Sequence, residues 1–317
     1  MPLALKGLKY KLRYFKHPFP LSEGETGPKP KLVKISVVIP VFLRAESISR
    51  ALESIFRQSR KPDEIVVVND GSPRGYYREI ESKFPEVNWV FCPTNQGVAK
   101  ARNLGIKHAS GEWIALLDSD DEWEPDKLKL QEDQIFKNRE IKAIHTGEKW
   151  IRNGNEVIPP RYLDKSGERL WERSLKHCLI CPSSILLHRS VFDVVGWFDE
   201  SLKVCEDFDF WLRLLLHYQV FLLEDKLVRK HGGHPDQLST TVWGMDRYRV
   251  KSLENLLQHP FLSGEQKNQV TKELVSKSRI LSQGARKRDN LQRAQKYESL
   301  CQKYAGTMQV ELSQVDG

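Results

Sequence analysis

The chain has 317 residues, a net charge of +8 and 39% hydrophobic residues. That length accommodates one large domain or two smaller ones around a sizeable core, and with no run of 18 apolar residues it excludes a membrane-spanning helix. The basic balance does not point to nucleic acid: residues 1–34 carry eight Lys/Arg against two Glu, residues 245–317 thirteen against eight, and the stretch between 29 against 32, with no helix-turn-helix, zinc-finger or RNP signature. Basic ends of this kind suit a membrane surface or an anionic substrate.

In chain order, residues 3–16 place Leu5, Leu8, Leu12 and Phe15 on one helical face, with Lys6, Lys9, Lys11, Arg13 and Lys16 on the remainder. Such a helix can lie on an anionic bilayer; the alternatives are packing on the protein's own surface or a basic arm. The N-terminus lacks the apolar core and small-residue cleavage site of a secretory signal, so a cytoplasmic location is expected, with peripheral contact at the inner membrane face. A Gly/Pro-rich linker at 22–30 completes a basic arm, residues 1–34.

From residue 35 short apolar strands (35–40, 64–69, 88–92, 112–117) alternate with amphipathic helices (45–58, 76–84, 97–109). Strands starting about every 25 residues with helices between them imply βαβ crossovers and a mainly parallel α/β sheet. Beyond a helix at 125–138 the rhythm loosens. A strand at 141–152 enters an Asn153-Gly154-Asn155 turn, another follows at 183–187, and residues 206–217 form an amphipathic helix. From 245 onward Leu253, Leu256, Leu257, Leu274 and Leu281 mark a helical extension packed on the core. The five cysteines fit a reducing compartment, and Cys178 and Cys181, in a lone CxxC filled by Leu179 and Ile180, read as small buried hydrophobes.

The chemistry concentrates where Trp113-Ile114-Ala115-Leu116-Leu117 breaks into Asp118-Ser119-Asp120-Asp121. Ligands of open α/β sheets bind beyond the carboxyl ends of the strands. In extended chain residues i and i+2 share a face, so Asp118 and Asp120 can converge on one ligand. Oxygen ligands suit Mg2+ or Mn2+, which takes further oxygens from water and substrate phosphates. The competing reading is an acidic loop that caps the helix starting at Pro125.

Other signals fall in a fixed order around this loop. Ile39-Pro40-Val41-Phe42 ends the first strand, Val68-Asn69-Asp70-Gly71-Ser72 the second, and Asn95 to Asn103, containing Ala101-Arg102-Asn103, opens a helix. Later come Val195-Gly196-Trp197-Phe198-Asp199-Glu200, Glu206-Asp207-Phe208-Asp209 and His234-Pro235-Asp236-Gln237-Leu238-Ser239. In this order and spacing, from about residue 35 to 239, the chain resembles glycosyltransferase family 2, the inverting enzymes of GT-A fold. The resemblance implies a Rossmann-like sheet, residues 35–244, with a nucleotide-sugar-binding half (35–121) and an acceptor half (122–244), followed by a helical extension (245–317). It implies a nucleotide-diphosphate sugar donor, a UDP-sugar, and a saccharide or glycolipid acceptor. Asp70 resembles the uracil-binding Asp, Asp118 the carboxylate near the donor ribose, Asp120 the metal ligand and Asp207, beside Glu206, the catalytic base. Arg102 is expected at the base or phosphate, Pro40, Phe42 and Ser119 alongside the donor, and His234 at the metal or diphosphate.

Chemically these roles cohere: a cation stabilises a diphosphate leaving group, and an inverting displacement needs a carboxylate to take the acceptor proton. Asp207 and Asp209 diverge on a helix, so only one can face the donor. Trp197, Trp211 and Trp243 are candidates for stacking on acceptor sugars, or for the core. Phe42-Leu43 stands where the family often has Tyr-Asn, and Asn69 replaces a common Asp, which leaves the donor base less defined than the reaction. The competing classes are a non-catalytic nucleotide-sugar-binding scaffold, which needs none of the acids, and a nucleotidyltransferase, which would carry a Gly-rich basic loop in place of Phe42-Leu43-Arg44-Ala45.

Overall fold

The computed structural model describes residues 33–166, 169–233, 237 and 241–315, with side chains through residue 306. The amphipathic segment at 3–16 lies outside the described residues. Strands and helices alternate first: β1 (Ile35–Val41), α1 (Ala45–Phe56), β2 (Glu64–Asn69), α2 (Arg78–Lys83), β3 (Asn88–Phe91), α3 (Val98–His108) and β4 (Trp113–Leu116). The β1–β2, β2–β3 and β1–β4 pairs are all parallel, in the order 3-2-1-4. The chain thus steps outward from β1 to β3, then crosses back to place β4 on β1's other side. That reversal opens a crevice at the carboxyl ends of β1 and β4.

Burial of both sheet faces follows from β1 itself. Val37, Ile39 and Val41 pack with Ile48, Leu52 and Ile55 of α1, whereas Val38 packs with Ala101 and Ile106 of α3. Alternation along the strand feeds two cores, which is why the strand is apolar at nearly every position. On α1 the buried residues recur every three or four positions, and a fully buried Leu or Ile contributes roughly 1.5–3 kcal/mol.

The second half adds β5 (Glu122–Trp123), α4 (Lys127–Lys137), β6 (Ala143–Arg152), β7 (Asn155–Val157), α5 (Leu170–Lys176), β8 (Leu186–His188), α6 (Val191–Val195), α7 (Glu206–His217) and β9 (Phe221–Gly232). Antiparallel β8 joins β4 to β6, β9 runs parallel to β6, β5 is antiparallel to β9, and β7 forms a hairpin with β6. Of the nine strands among the described residues, six point one way, so the sheet is mainly parallel and flanked by helices, as expected. The pattern does not predict β5 or β9. Two residues are too few for a periodicity, and β9 loses its alternation at a bulge where its register with β6 slips around Gly147. A Cβ on Gly147 would lie 2.7 Å from the Glu224 carbonyl oxygen, so the bulge requires glycine there.

Three helices follow: α8 (Asp246–Leu257), α9 (Gly264–Arg286) and α10 (Leu291–Val315). A capping box starts α9, in which Ser263 Oγ accepts from the Gln266 N–H and Gln266 Oε1 accepts from the Ser263 N–H. Helix α7 turns Phe210, Trp211 and Leu214 toward the sheet, and Phe208 and Leu212 toward Leu253, Leu256, Val270 and Leu274. It is therefore clamped on two sides. Among the described residues no helix is long and apolar enough to cross a membrane.

Candidate active site

On the β1–β2 side of the crevice, Pro40 is buried at the strand end and Phe42 beyond it is 40% exposed. Leu43 adopts a left-handed φ of 51°, uncommon for a branched side chain. Its N–H donates to Ser72 Oγ (2.9 Å), which lies 3.1 Å from the Tyr77 hydroxyl, so the β1 and β2 loops are tied together. Asn69 Oδ1 accepts from the Ser72 N–H (2.8 Å) and closes the Asp70-Gly71-Ser72 turn. The Asp70 carboxylate is buried and accepts from the N–H groups of Gln96 and Gly97, each at 2.9 Å. Burial raises its pKa, although those two bonds and Lys100 oppose the shift. Gly71, at φ +86°, packs so closely on residues 94–95 that a Cβ would sit 2.2 Å from the Asn95 nitrogen. Asp70 thus shapes the loop leading into α3.

Residues 118–121 form a turn, with the Asp121 N–H donating to the Asp118 carbonyl (3.0 Å). The extended-chain geometry expected for Asp118 and Asp120 does not hold, because β4 ends at Leu116. The two carboxylates are held by different arginines. Arg102 Nη2 on α3 reaches Asp118 Oδ1 at 2.6 Å, and Arg44, just before α1, reaches Asp120 Oδ2 at 2.6 Å. Arg50 also donates to the Asp120 carbonyl (3.1 Å). Ser119 is buried. Asp121, to which the sequence pattern assigns no role, is also buried; its Oδ2 accepts from Ser183 Oγ (2.6 Å) and its Oδ1 from the His231 N–H (3.0 Å). Burial, then the charges of Asp120 and Asp118, push its pKa well up. Ser183 Oγ in turn accepts from the Asp118 N–H (3.1 Å), and its carbonyl accepts from Trp123 Nε1 (2.8 Å). Ser183 is the hub of the acidic loop, and the only trace of it in sequence is a Pro-Ser-Ser run.

Arg102 joins this loop to α7. Its side chain is 4% exposed, and while Nη2 holds Asp118, Nη1 holds Glu206 Oε1 at 2.5 Å, with the guanidinium 5.6 Å from the Phe198 ring. Burial works against its charge, but Asp118 and Glu206 overcome it, so the guanidinium stays protonated. Glu206 is buried, and that burial, with Asp207 adding and Arg102 opposing, raises its pKa to about 7. Cys205 precedes it at a left-handed φ of 63°, the strained residue that aims the start of α7. Asp207 is half-buried and accepts from Cys178 Sγ (3.3 Å) and from the Phe208 N–H (2.7 Å). Asp209 diverges as expected and takes Arg213 Nε and Nη2 at 2.9 and 2.8 Å.

The structure therefore brings Arg102, Asp118 and Glu206 into one ionic cluster with Asp207 adjoining. It places Asp120 with Arg44 and Asp70 in the neighbouring loop. His234 lies outside the described residues. His231 is committed elsewhere, its Nε2 lying 2.7 Å from Glu122 Oε1. Of the tryptophans, Trp211 is buried, Trp197 stacks on Phe192, and Trp243 sits between the guanidinium groups of Arg247 and Arg293. Among the described residues no three His, Cys, Asp or Glu side chains cluster as a ready-made metal cage. The two crevice-loop carboxylates, Asp120 and Asp118, are each engaged by an arginine.

The glycosyl transferase family 2 model matches residues 36–196. The chain belongs to glycosyl transferase family 2. An uncharacterized glycosyltransferase of Rickettsia typhi is 28% identical to this family member over 225 residues, covering 68% of this chain and 69% of its own. The chondroitin synthase of Pasteurella multocida is 26% identical over 223 residues, 67% of this chain but 22% of that much longer protein. Other rickettsial glycosyltransferases are likewise longer, and the chain spans 38% and 33% of two of them. The S. aureus TarS structure shares the fold with a TM-score of 0.62 at 23% identity, over 78% of this chain and 43% of TarS. TarS 1–349 in complex with UDP-GlcNAc superposes with a TM-score of 0.61 at 18% identity, over 86% of this chain and 92% of that one. The family 2 chain is accordingly a glycosyltransferase of GT-A fold.

Proposed function

We propose that this glycosyltransferase moves a sugar, with inversion, from a UDP-linked donor to a saccharide or lipid-linked acceptor in surface polysaccharide or glycolipid assembly, working peripherally at the cytoplasmic membrane face. The observation that carries the reading is the Arg102 bridge, which couples a crevice carboxylate, Asp118, to the acid pair at the start of α7. A donor beside Asp118 and an acceptor beside Asp207 then meet within one cluster. The TarS complexes with UDP and with UDP-GlcNAc support a UDP donor on this fold.

Between the two acids, Asp207 is the better base. Glu206 is committed to Arg102, whereas Asp207 holds only a thiol and a backbone N–H and keeps lone pairs for an acceptor hydroxyl. Arg102 orients both sides of the cluster, and Phe42 offers an exposed ring for the base of the nucleotide. Mg2+ or Mn2+ on Asp120 and Asp118 would offset the charge of the departing diphosphate. A donor screen that follows nucleotide diphosphate release with Mn2+ and with EDTA tests this reading, with Asp120→Ala as control. Release from UDP-sugars that needs the metal and is lost in the variant supports it; release equal in EDTA and in Asp120→Ala refutes the metal role, and release from no donor refutes the transfer.

A further inference from the structure

A cavity of about 240 Å3 lies between β6, β9 and the stretch 159–181. It falls below the ~300–1,000 Å3 of sites for drug-sized ligands, so it suits a single sugar residue rather than a chain. Two of its lining residues connect it to the acid cluster. Cys178 donates its thiol hydrogen to Asp207 Oδ2 at 3.3 Å, and Cys181 lies 3.9 Å from Asp121.

Of the six charged residues that line this cavity, Glu224 and Lys226 are exposed at its edge, and Glu148, Lys165 and Asp164 are engaged by neighbours. Glu148 is buried and pairs with Lys165 while accepting from Trp150 Nε1 at 3.0 Å. Asp164 accepts from the N–H and hydroxyl of Ser166. Lys230 differs. Among the described residues its Nζ makes no hydrogen bond and has no carboxylate within 4 Å, and it lies 5.5 Å from the centroid of the Trp150 ring. Cys181, Glu148 and Asp121 nearby favour its charge over the cost of burial, so the ammonium stays charged and its N–H donors are left for a ligand. Beside it Leu179, Leu222 and Trp150 present the apolar surface that suits the carbon face of a sugar ring.

We propose that this cavity is the acceptor subsite and that Lys230 receives an anionic group, a carboxylate or a phosphate, on the acceptor sugar. A hydroxyl of the same residue is then presented past Cys178 to Asp207. This inference rests on the transfer reading above, since Asp207 is the base only in that reaction.

The test uses the full chain saturated with UDP and Mg2+, titrated with glucose, glucuronate and glucose 6-phosphate and followed by ligand-observed NMR. A charge-assisted contact predicts that one anionic sugar binds about tenfold or more tightly than glucose; which anion is preferred separates carboxylate from phosphate. Lys230→Met should erase that preference and Lys230→Arg should keep most of it, with UDP affinity unchanged in both. Equal binding of the three sugars, or a preference that survives in Lys230→Met, overturns the proposal while leaving the donor site standing. Failure of the wild-type chain to bind UDP removes the transfer reading, and this one with it.

Discussion

Replacing Glu206 with Gln removes one titration from the protein and keeps an acceptor for Arg102. In the folded chain the Glu206 pKa is raised to about 7 from an ordinary 4.5, chiefly by burial. Below pH 4.5 the folded and unfolded chains both hold the proton, and stability does not depend on this group. Between pH 4.5 and 7 the unfolded chain releases it and the folded chain does not, so stability falls by about 1.4 kcal/mol per pH unit. Above pH 7 both are ionised, and the accumulated cost is about 3 kcal/mol. Glu206→Gln has no such slope. Its unfolding free energy minus that of the wild type should therefore grow by about 3 kcal/mol from pH 4.5 to 7.5. Urea unfolding in EDTA at steps across this range measures it, and the contributions of the other raised carboxyls, Asp70, Asp121 and Asp209, largely cancel in the difference. A difference that stays constant, or shrinks with pH, refutes the reasoning, because it means that Arg102 keeps Glu206 ionised throughout.

Three further outcomes are expected. Asp207→Asn should lower kcat by ~100-fold or more with donor affinity nearly unchanged, and steady-state kinetics that instead show full activity in Asp207→Asn and its loss in Glu206→Gln would move the base one residue back. Ser183→Ala leaves the Asp118 N–H and the Asp121 carboxyl without their shared partner, which should cost about 1–3 kcal/mol; an unchanged thermal midpoint would contradict the hub role. The full chain should co-sediment with anionic vesicles in low salt and lose that binding on deletion of residues 1–20, as the basic amphipathic pattern predicts, while equal sedimentation with and without the segment would reject anchoring by it.

Much of the first half is readable from pattern alone, because a strand buried on both faces must be apolar at nearly every position, and β1, β2 and β4 are, apart from Ser36, Glu64 and Asn69. The acid pair on α7 is legible for a similar reason: Glu206 and Asp207 are charges at the head of a helix that is mostly apolar, Asp209, Arg213 and His217 apart. What periodicity cannot supply is which group pairs with which. Arg44 and Arg102 lie 76 and 16 residues from the aspartates they hold, and no spacing rule links them. Ser183 and Lys230 are hidden more deeply. One acts through a hydroxyl in a short 3-10 turn, the other sits on a strand whose bulge erases the alternation that would reveal it.

The partners of Asp121 carry a consequence for how the enzyme is made. Ser183 lies 62 residues downstream and His231 lies 110. At about 5–20 residues per second of synthesis, the parallel strands emerge several seconds, and up to about 20 s, before the segments that pin the acidic turn. A nascent chain stopped after β7 can pair β1 to β4 but lacks β8 and β9, which join the remaining strands, and its Asp121 carboxyl has neither Ser183 nor His231 to bond it. The acidic turn is thus completed by the part of the polypeptide translated after it, and lesions in β9 should appear as late assembly defects at that turn.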